Sequence, residues 1–132
     1  MVMNRRQLDT WVEELRLAWE QADPARAAAL FTHDAKYHSH PFRRPLIGTS
    51  AIEDYWKQAT SNQTDVLVRM GKPLLDGNRA VVEWWTVMEE EGMGTTDAGA
   101  LILEFVGDRC ANLREYWNMV DDKVEPAKEW GQ

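Results

Sequence analysis

Three observations predict an α+β domain. Apolar residues in the first half recur with a helical period, the period changes to two after Thr60, and glycine-bearing turns cut the second half at Asp76-Gly77, Gly92 to Gly94 and Gly107-Asp108. Helices come first and sheet second, an ααβα unit followed by a four-stranded antiparallel meander. Leu8, Trp11, Val12, Leu15, Ala18, Trp19 and Ala22 form the apolar stripe of the first helix, with Asp9, Glu13, Arg16 and Glu20 opposite. Asn4 and Gln7 have the spacing of a capping box, and Asp23-Pro24 stops this helix and starts a short second one over ARAAALF. His33-Asp34 reads as a turn and Ala35 to His40 as a strand ended by Pro41. Thr49 or Ser50 caps a third helix, Ser50 and Glu53 in capping-box spacing, with Ile52, Tyr55, Trp56 and Ala59 on its apolar face.

In the second half, Val66, Val68 and Met70 alternate with Asp65, Leu67 and Arg69, Arg79 to Glu89 returns from the Asp76-Gly77 hairpin, and Thr95 to Val106 and Arg109 to Asn118 complete the meander. Ala80, Val82, Trp84, Thr86 and Met88 carry no charge and face the core. Leu101, Leu103 and Phe105 set the inward row of the next strand, which puts Gly99 and Asp97 inside as well. The outward rows still hold Val81, Trp85, Val87, Ile102 and Val106, too apolar for a solvated face, so a homodimer packed through the outer sheet face is expected. Residues 1–120 read as one domain and 121–132 as a polar, loosely held tail.

The chain has 132 residues, 44% hydrophobic and 28% charged, which suits one core and excludes several domains. A net charge of −7 with scattered basic residues excludes a nucleic-acid or anionic-membrane surface and favours a neutral or cationic small molecule, or a protein, as partner. The single Cys110 cannot form an internal disulfide, no membrane span is present, and MVMNRRQLDTW lacks the apolar run of a signal peptide, so a cytoplasmic protein is expected.

The segments ADPARAAALF, THDAKYHSHPF, PLIGTSAIEDYW, DGNRAVVEWW and LILEFVGDRCANLREYW, in this order between Leu8 and Asn118, resemble the SnoaL-like branch of the nuclear transport factor 2-like superfamily. The resemblance implies a cone: a strongly bent antiparallel sheet wrapped around three helices, with a pocket at the wide end and frequent dimers. Ketosteroid isomerases, polyketide cyclases, scytalone dehydratase, limonene epoxide hydrolase and pockets without chemistry share it, so function rests on the site residues.

Against the ketosteroid isomerases, His40 stands where the base precedes the strand-ending proline, Leu101 where a protonated Asp is needed, and Leu15 or Trp19 where a Tyr is needed. Against limonene epoxide hydrolase, Tyr37 and Ser39 match the pair that holds the attacking water, while Trp84 and Thr86 replace the Arg and Asp. The cyclase pattern points to Asp97 and Glu115, with Asn118 where relatives close the last strand with an acid.

His40, Asp97 and Glu115 are therefore the candidate acid or base groups and Tyr37 a hydrogen-bond donor; Glu115 shares parity with Leu113 and Trp117, whereas a bulge would put Arg114 inside. Trp19, Trp56, Trp84 and Trp117 lie on the buried faces of four elements and, with Ser39, form an expected ligand wall for a small apolar or aromatic molecule. His33, Asp34, His38 and His40 lack a third ligand on one face, so neither a metal nor a cofactor is expected. The reading is a protein that binds a small apolar or aromatic molecule in an indole-lined pocket and, if it is an enzyme, is a cofactor-independent isomerase, cyclase or dehydratase, with a non-catalytic ligand-binding or protein-interaction module as the alternative.

Overall fold

A computed structural model describes residues 2–132. At the start of the first helix, α1 (Arg5–Glu20), the Asn4 side chain accepts the Gln7 backbone N–H at 2.9 Å and the Gln7 side chain accepts the Asn4 N–H at 3.0 Å. The expected capping box is present, and it satisfies two of the donors that a helix start leaves free. The stripe from Leu8 to Trp19 is buried, and the Trp11 indole packs edge-on against Phe31 and Phe105 while its N–H donates to the Leu30 carbonyl at 2.9 Å. Asp23 caps α2 (Pro24–Ala28) through the Arg26 N–H, with Pro24 inside the first turn.

Strand β1 runs Phe31–His38, so His33-Asp34 lies within a strand and is no turn. Phe31, Ala35 and Tyr37 are its buried residues, and burying those three apolar groups outweighs the weak turn preference of Asp34. The two-residue β2 (Leu46–Ile47) precedes α3 (Thr49–Thr60), whose N-cap is Gly48 at φ 89°, with no side-chain cap from Thr49 or Ser50. Only glycine takes that backbone without strain, and it sends the chain from sheet edge to helix in one residue.

The remaining strands are β3 (Gln63–Met70), β4 (Leu74–Asp76), β5 (Arg79–Glu90), β6 (Met93–Val106) and β7 (Arg109–Val120). The sheet order is β2-β1-β7-β6-β5-β3, with β4 also on β5. All pairings are antiparallel except β1 with β7, which is parallel, so the sheet is mixed where an antiparallel one was expected. The meander itself is as expected, and the helices fill the concave face of a curved, unclosed sheet. Ala80, Val82, Trp84, Thr86 and Met88 are all at most 2% exposed, which fixes the inward face of β5.

The segment 121–132 is not loose. The Thr96 hydroxyl donates to the Asp122 carbonyl at 2.7 Å and accepts the Val124 N–H at 2.9 Å. Trp85 Nε1 donates to the Val124 carbonyl, the Trp130 ring stands edge-on to Trp85, Arg69 pairs with Glu125 at 2.8 Å, and the Lys72 N–H reaches the Gly131 carbonyl at 2.7 Å. Its backbone groups thus cross the outer sheet face and bury Val87 and Thr96, which share the outward row with Trp85. Polar composition hid this because the anchors are backbone carbonyls and amides, which every sequence carries.

Candidate functional site: an aromatic cavity with two buried carboxyls

The helical stripe of α1 ends on Trp19, and adjacent positions of α3 supply Tyr55 and Trp56. Trp19 meets Trp56 at 5.5 Å and Trp84 of β5 at 5.1 Å, both edge-to-face; Tyr55 continues the row to Tyr37 at 5.2 Å. Such offset aromatic contacts add about 0.5–1.5 kcal/mol each beyond the area they bury. Trp19 Nε1 also donates to Gln63 Oε1 at 2.9 Å, which ties α1 to the start of β3.

These residues enclose a cavity of about 290 Å³, at the small end of ligand pockets, which run from roughly 300 to 1,000 Å³. Trp19, Trp56, Trp84 and Trp117 all line it, together with Tyr37. Trp117, 39% exposed, stands at the rim, its N–H donating to the Ser39 carbonyl at 3.1 Å. Ser39 is absent from the lining; it holds the rim through that carbonyl and through a side-chain hydrogen bond with Tyr55.

Asp97 of β6 and Glu115 of β7 open on the same cavity, and each is buried, at 9% and 8% exposure. Register explains the convergence: Leu101 pairs with Glu115 and Gly99 with Trp117, so Asp97 and Glu115 occupy the inward rows of neighbouring strands. Arg114 points the other way and meets Glu104 at 3.4 Å on the outer face. The bulge in this pair sits further down, between Glu104 and Phe105, and leaves the parity of Glu115 unchanged.

Burial is the larger cause that pushes the Glu115 carboxyl up to about 8, with the Asp97 charge adding to it. Burial likewise raises Asp97 to about 6, helped by Glu90. Among the described residues neither carboxyl has a salt bridge or a hydrogen bond, and Asp97 Oδ1 is buried without a partner. Trp84 Nε1 is a buried donor without a partner as well. The Tyr37 hydroxyl is driven well above its ordinary pKa, first by burial and then by Glu115, so it stays a neutral donor.

His40 is not at the cavity. β1 ends at His38 and the chain bends at Ser39 and His40, so the His40 ring turns onto its own loop, where Nδ1 accepts the Phe42 N–H at 3.3 Å and the ring faces Phe42 at 5.9 Å. Counting residues back from Pro41 could not show this bend. Among the described residues no three His, Cys, Asp or Glu side chains come together as metal ligands. Cys110 is fully buried in the core, its thiol raised by burial to about 12. Tyr55, Gln63 and Glu90 also line the cavity and lie outside the set of candidates that the sequence offers. Tyr55 was legible, being on the apolar face of the third helix, whereas Gln63 and Glu90 reach the site only through strand pairing.

Helices seated in a curved sheet around an aromatic, carboxyl-bearing cavity define a cone-shaped fold of the ketosteroid isomerase kind. The chain belongs to the SnoaL-like family, the SnoaL-like domain matching residues 12–113. Among solved structures it is similar to a hypothetical protein with a ketosteroid isomerase-like fold from Catenulispora acidiphila, in complex with trimethylamine, at 19% identity and TM-score 0.73, over 80% of this chain and 83% of that one. It is also similar to an LEH-like epoxide hydrolase from M. tuberculosis, at 15% identity and TM-score 0.72, over 86% of this chain and 84% of that one. At these identities the likeness concerns the fold. No curated protein matches the chain. Among the described residues no helix is long and apolar enough to cross a membrane.

Proposed function

We propose that the protein is a cofactor-independent proton-transfer enzyme, of the isomerase, cyclase or dehydratase kind, acting on a small molecule in the aromatic cavity. The carrying observation is the convergence of Asp97 and Glu115, two buried carboxyls of different proton affinity, on one cavity. At neutral pH Asp97, near 6, is mostly ionised and serves as base, while Glu115, near 8, keeps its proton and serves as acid. Asp97 takes a proton from the carbon beside a carbonyl as Glu115 donates one to the carbonyl oxygen, which gives an enol. Where the enol is conjugated, delivery of the Asp97 proton to its far carbon, as the enol O–H returns its proton to Glu115, completes an isomerisation; loss of a β-hydroxyl as water, taking the Asp97 proton while the enol O–H returns its own to Glu115, completes a dehydration. The neutral Tyr37 hydroxyl is the hydrogen-bond donor to the oxygen that gains charge. A cytoplasmic setting, as the sequence suggests, suits such chemistry and the unpaired Cys110.

The test is deuterium uptake in D₂O, followed by NMR over a panel of small carbonyl compounds. The protein is expected to speed exchange of at least one, and Asp97→Asn or Glu115→Gln to slow it about 10²- to 10⁴-fold. The unpartnered Trp84 N–H group favours a second reading, a ligand-binding module without chemistry. Retained ligand binding with no exchange of any panel member would decide for that one.

A further inference from the structure

We propose that the ligand of this cavity is an organic cation with a compact tertiary or quaternary ammonium head. The inference rests on the aromatic cavity being the ligand site, as proposed above, and is independent of any catalysis there. Three carboxyl groups line the cavity, Glu90, Asp97 and Glu115, and no Lys, Arg or His does. Among the described residues two of these are buried with no counter-ion, and a buried carboxylate without a partner is costly. The missing counter-ion is supplied by the ligand.

The walls select the kind of cation. The carboxyls and the amide side chains of Gln58, Asn62 and Gln63 can accept hydrogen bonds from a primary ammonium, but six of the thirteen lining residues are indoles or phenols, whose ring faces do not replace its water. An alkylated ammonium spreads its charge over methyl groups, which pack against aromatic faces and are attracted by the ring quadrupoles. Trp84, Trp19, Trp56 and Tyr55 provide such rings, each 5.1–6.1 Å from the next in that order. At about 290 Å³ the cavity suits a compact head better than a large aromatic ligand. The overall charge of −7 draws a cation toward the molecule from a distance.

Affinity should also follow the ionisation of the carboxyls. Glu115 is faced by Asp97 from β6, Tyr37 from β1 and Tyr55 from α3; Asp97 is faced by Glu90 from β5 and by Tyr55, and Arg43 acts on Tyr55. Binding of a cation lowers both carboxyl pKa values, releases protons and is stronger at high pH.

Calorimetry with choline and its neutral carbon isostere, 3,3-dimethylbutanol, tests the proposal on the full chain. Choline is expected to bind about tenfold or more tightly than the isostere at pH ~8.5, and to lose most of that advantage at pH ~5.5. Asp97→Asn, or Glu115→Gln should the first fail to fold, is expected to weaken choline about tenfold and leave the isostere within about twofold. Equal or tighter binding of the isostere overturns the proposal and leaves proton transfer in the same cavity standing. Binding of neither overturns it too, and the deuterium experiment then judges the proton-transfer reading separately.

Discussion

Glu115 is the residue at which fold and chemistry conflict most. Its native pKa, near 8, lies above the ordinary 4.5, so between these values the folded chain holds a proton that the unfolded chain has released. Stability is therefore greatest below about pH 4.5 as far as this group is concerned, and falls as pH rises to 8, by about 1.4 kcal/mol per unit. Asp97 adds a loss of the same sign between about 3.8 and 6. Glu115→Gln keeps the shape of the neutral acid and removes the first slope, so urea denaturation at pH ~9 should find the variant more stable than the parent by a few kcal/mol, and near parity at pH ~5. A parent whose stability is flat between pH 5 and 9 would show that Glu115 is ionised in the fold. Both acids could be placed inside from strand parity alone, since alternation with Leu113 and Leu101 is a strictly local property. His40 could not, because the bend that removes it from the cavity depends on how a proline-rich loop leaves the sheet.

Among the elements, β6 shapes the cavity through Gly99. A Cβ there would lie 2.7 Å from Trp117 Cβ and closer still to the Tyr116 carbonyl, so glycine is required by a close approach between strands. Gly99→Ala is expected to cost about 1–3 kcal/mol in thermal or urea unfolding and to displace the Trp117 rim, which tryptophan fluorescence would report. An alanine variant as stable as the parent would rule out the tight approach. The helices, the hairpin turns and the inward rows were legible because each rests on residues close in sequence. The start of β1, the Gly48 cap and the docking of the final segment were not. They depend respectively on burial against other elements, on a φ that no composition reveals, and on backbone acceptors offered by distant strands.

At the scale of the molecule, the final segment covers Trp85 and Val87, yet Val81 is 39% exposed, Val106 66% and Tyr116 47% on the outer side of the sheet. A homodimer through this remaining face is expected, with sedimentation giving twice the 15.3 kDa chain mass at micromolar concentration. Val81→Glu with Tyr116→Lys should convert it to a folded monomer, and a monomeric parent would refute the pairing. The parallel junction of β1 with β7 has a different consequence, in time. Phe31 pairs with Cys110 and Tyr37 with Leu113, so the first strand meets its long partner only after almost the whole chain exists. Contacts that distant make folding slow, because the loop must close before they form. During synthesis Tyr37 and the indoles of the helices are made well before Glu115, the group that completes their enclosure. The cavity is thus assembled last, and until then its aromatic wall is an exposed surface that a nascent chain must keep from its neighbours.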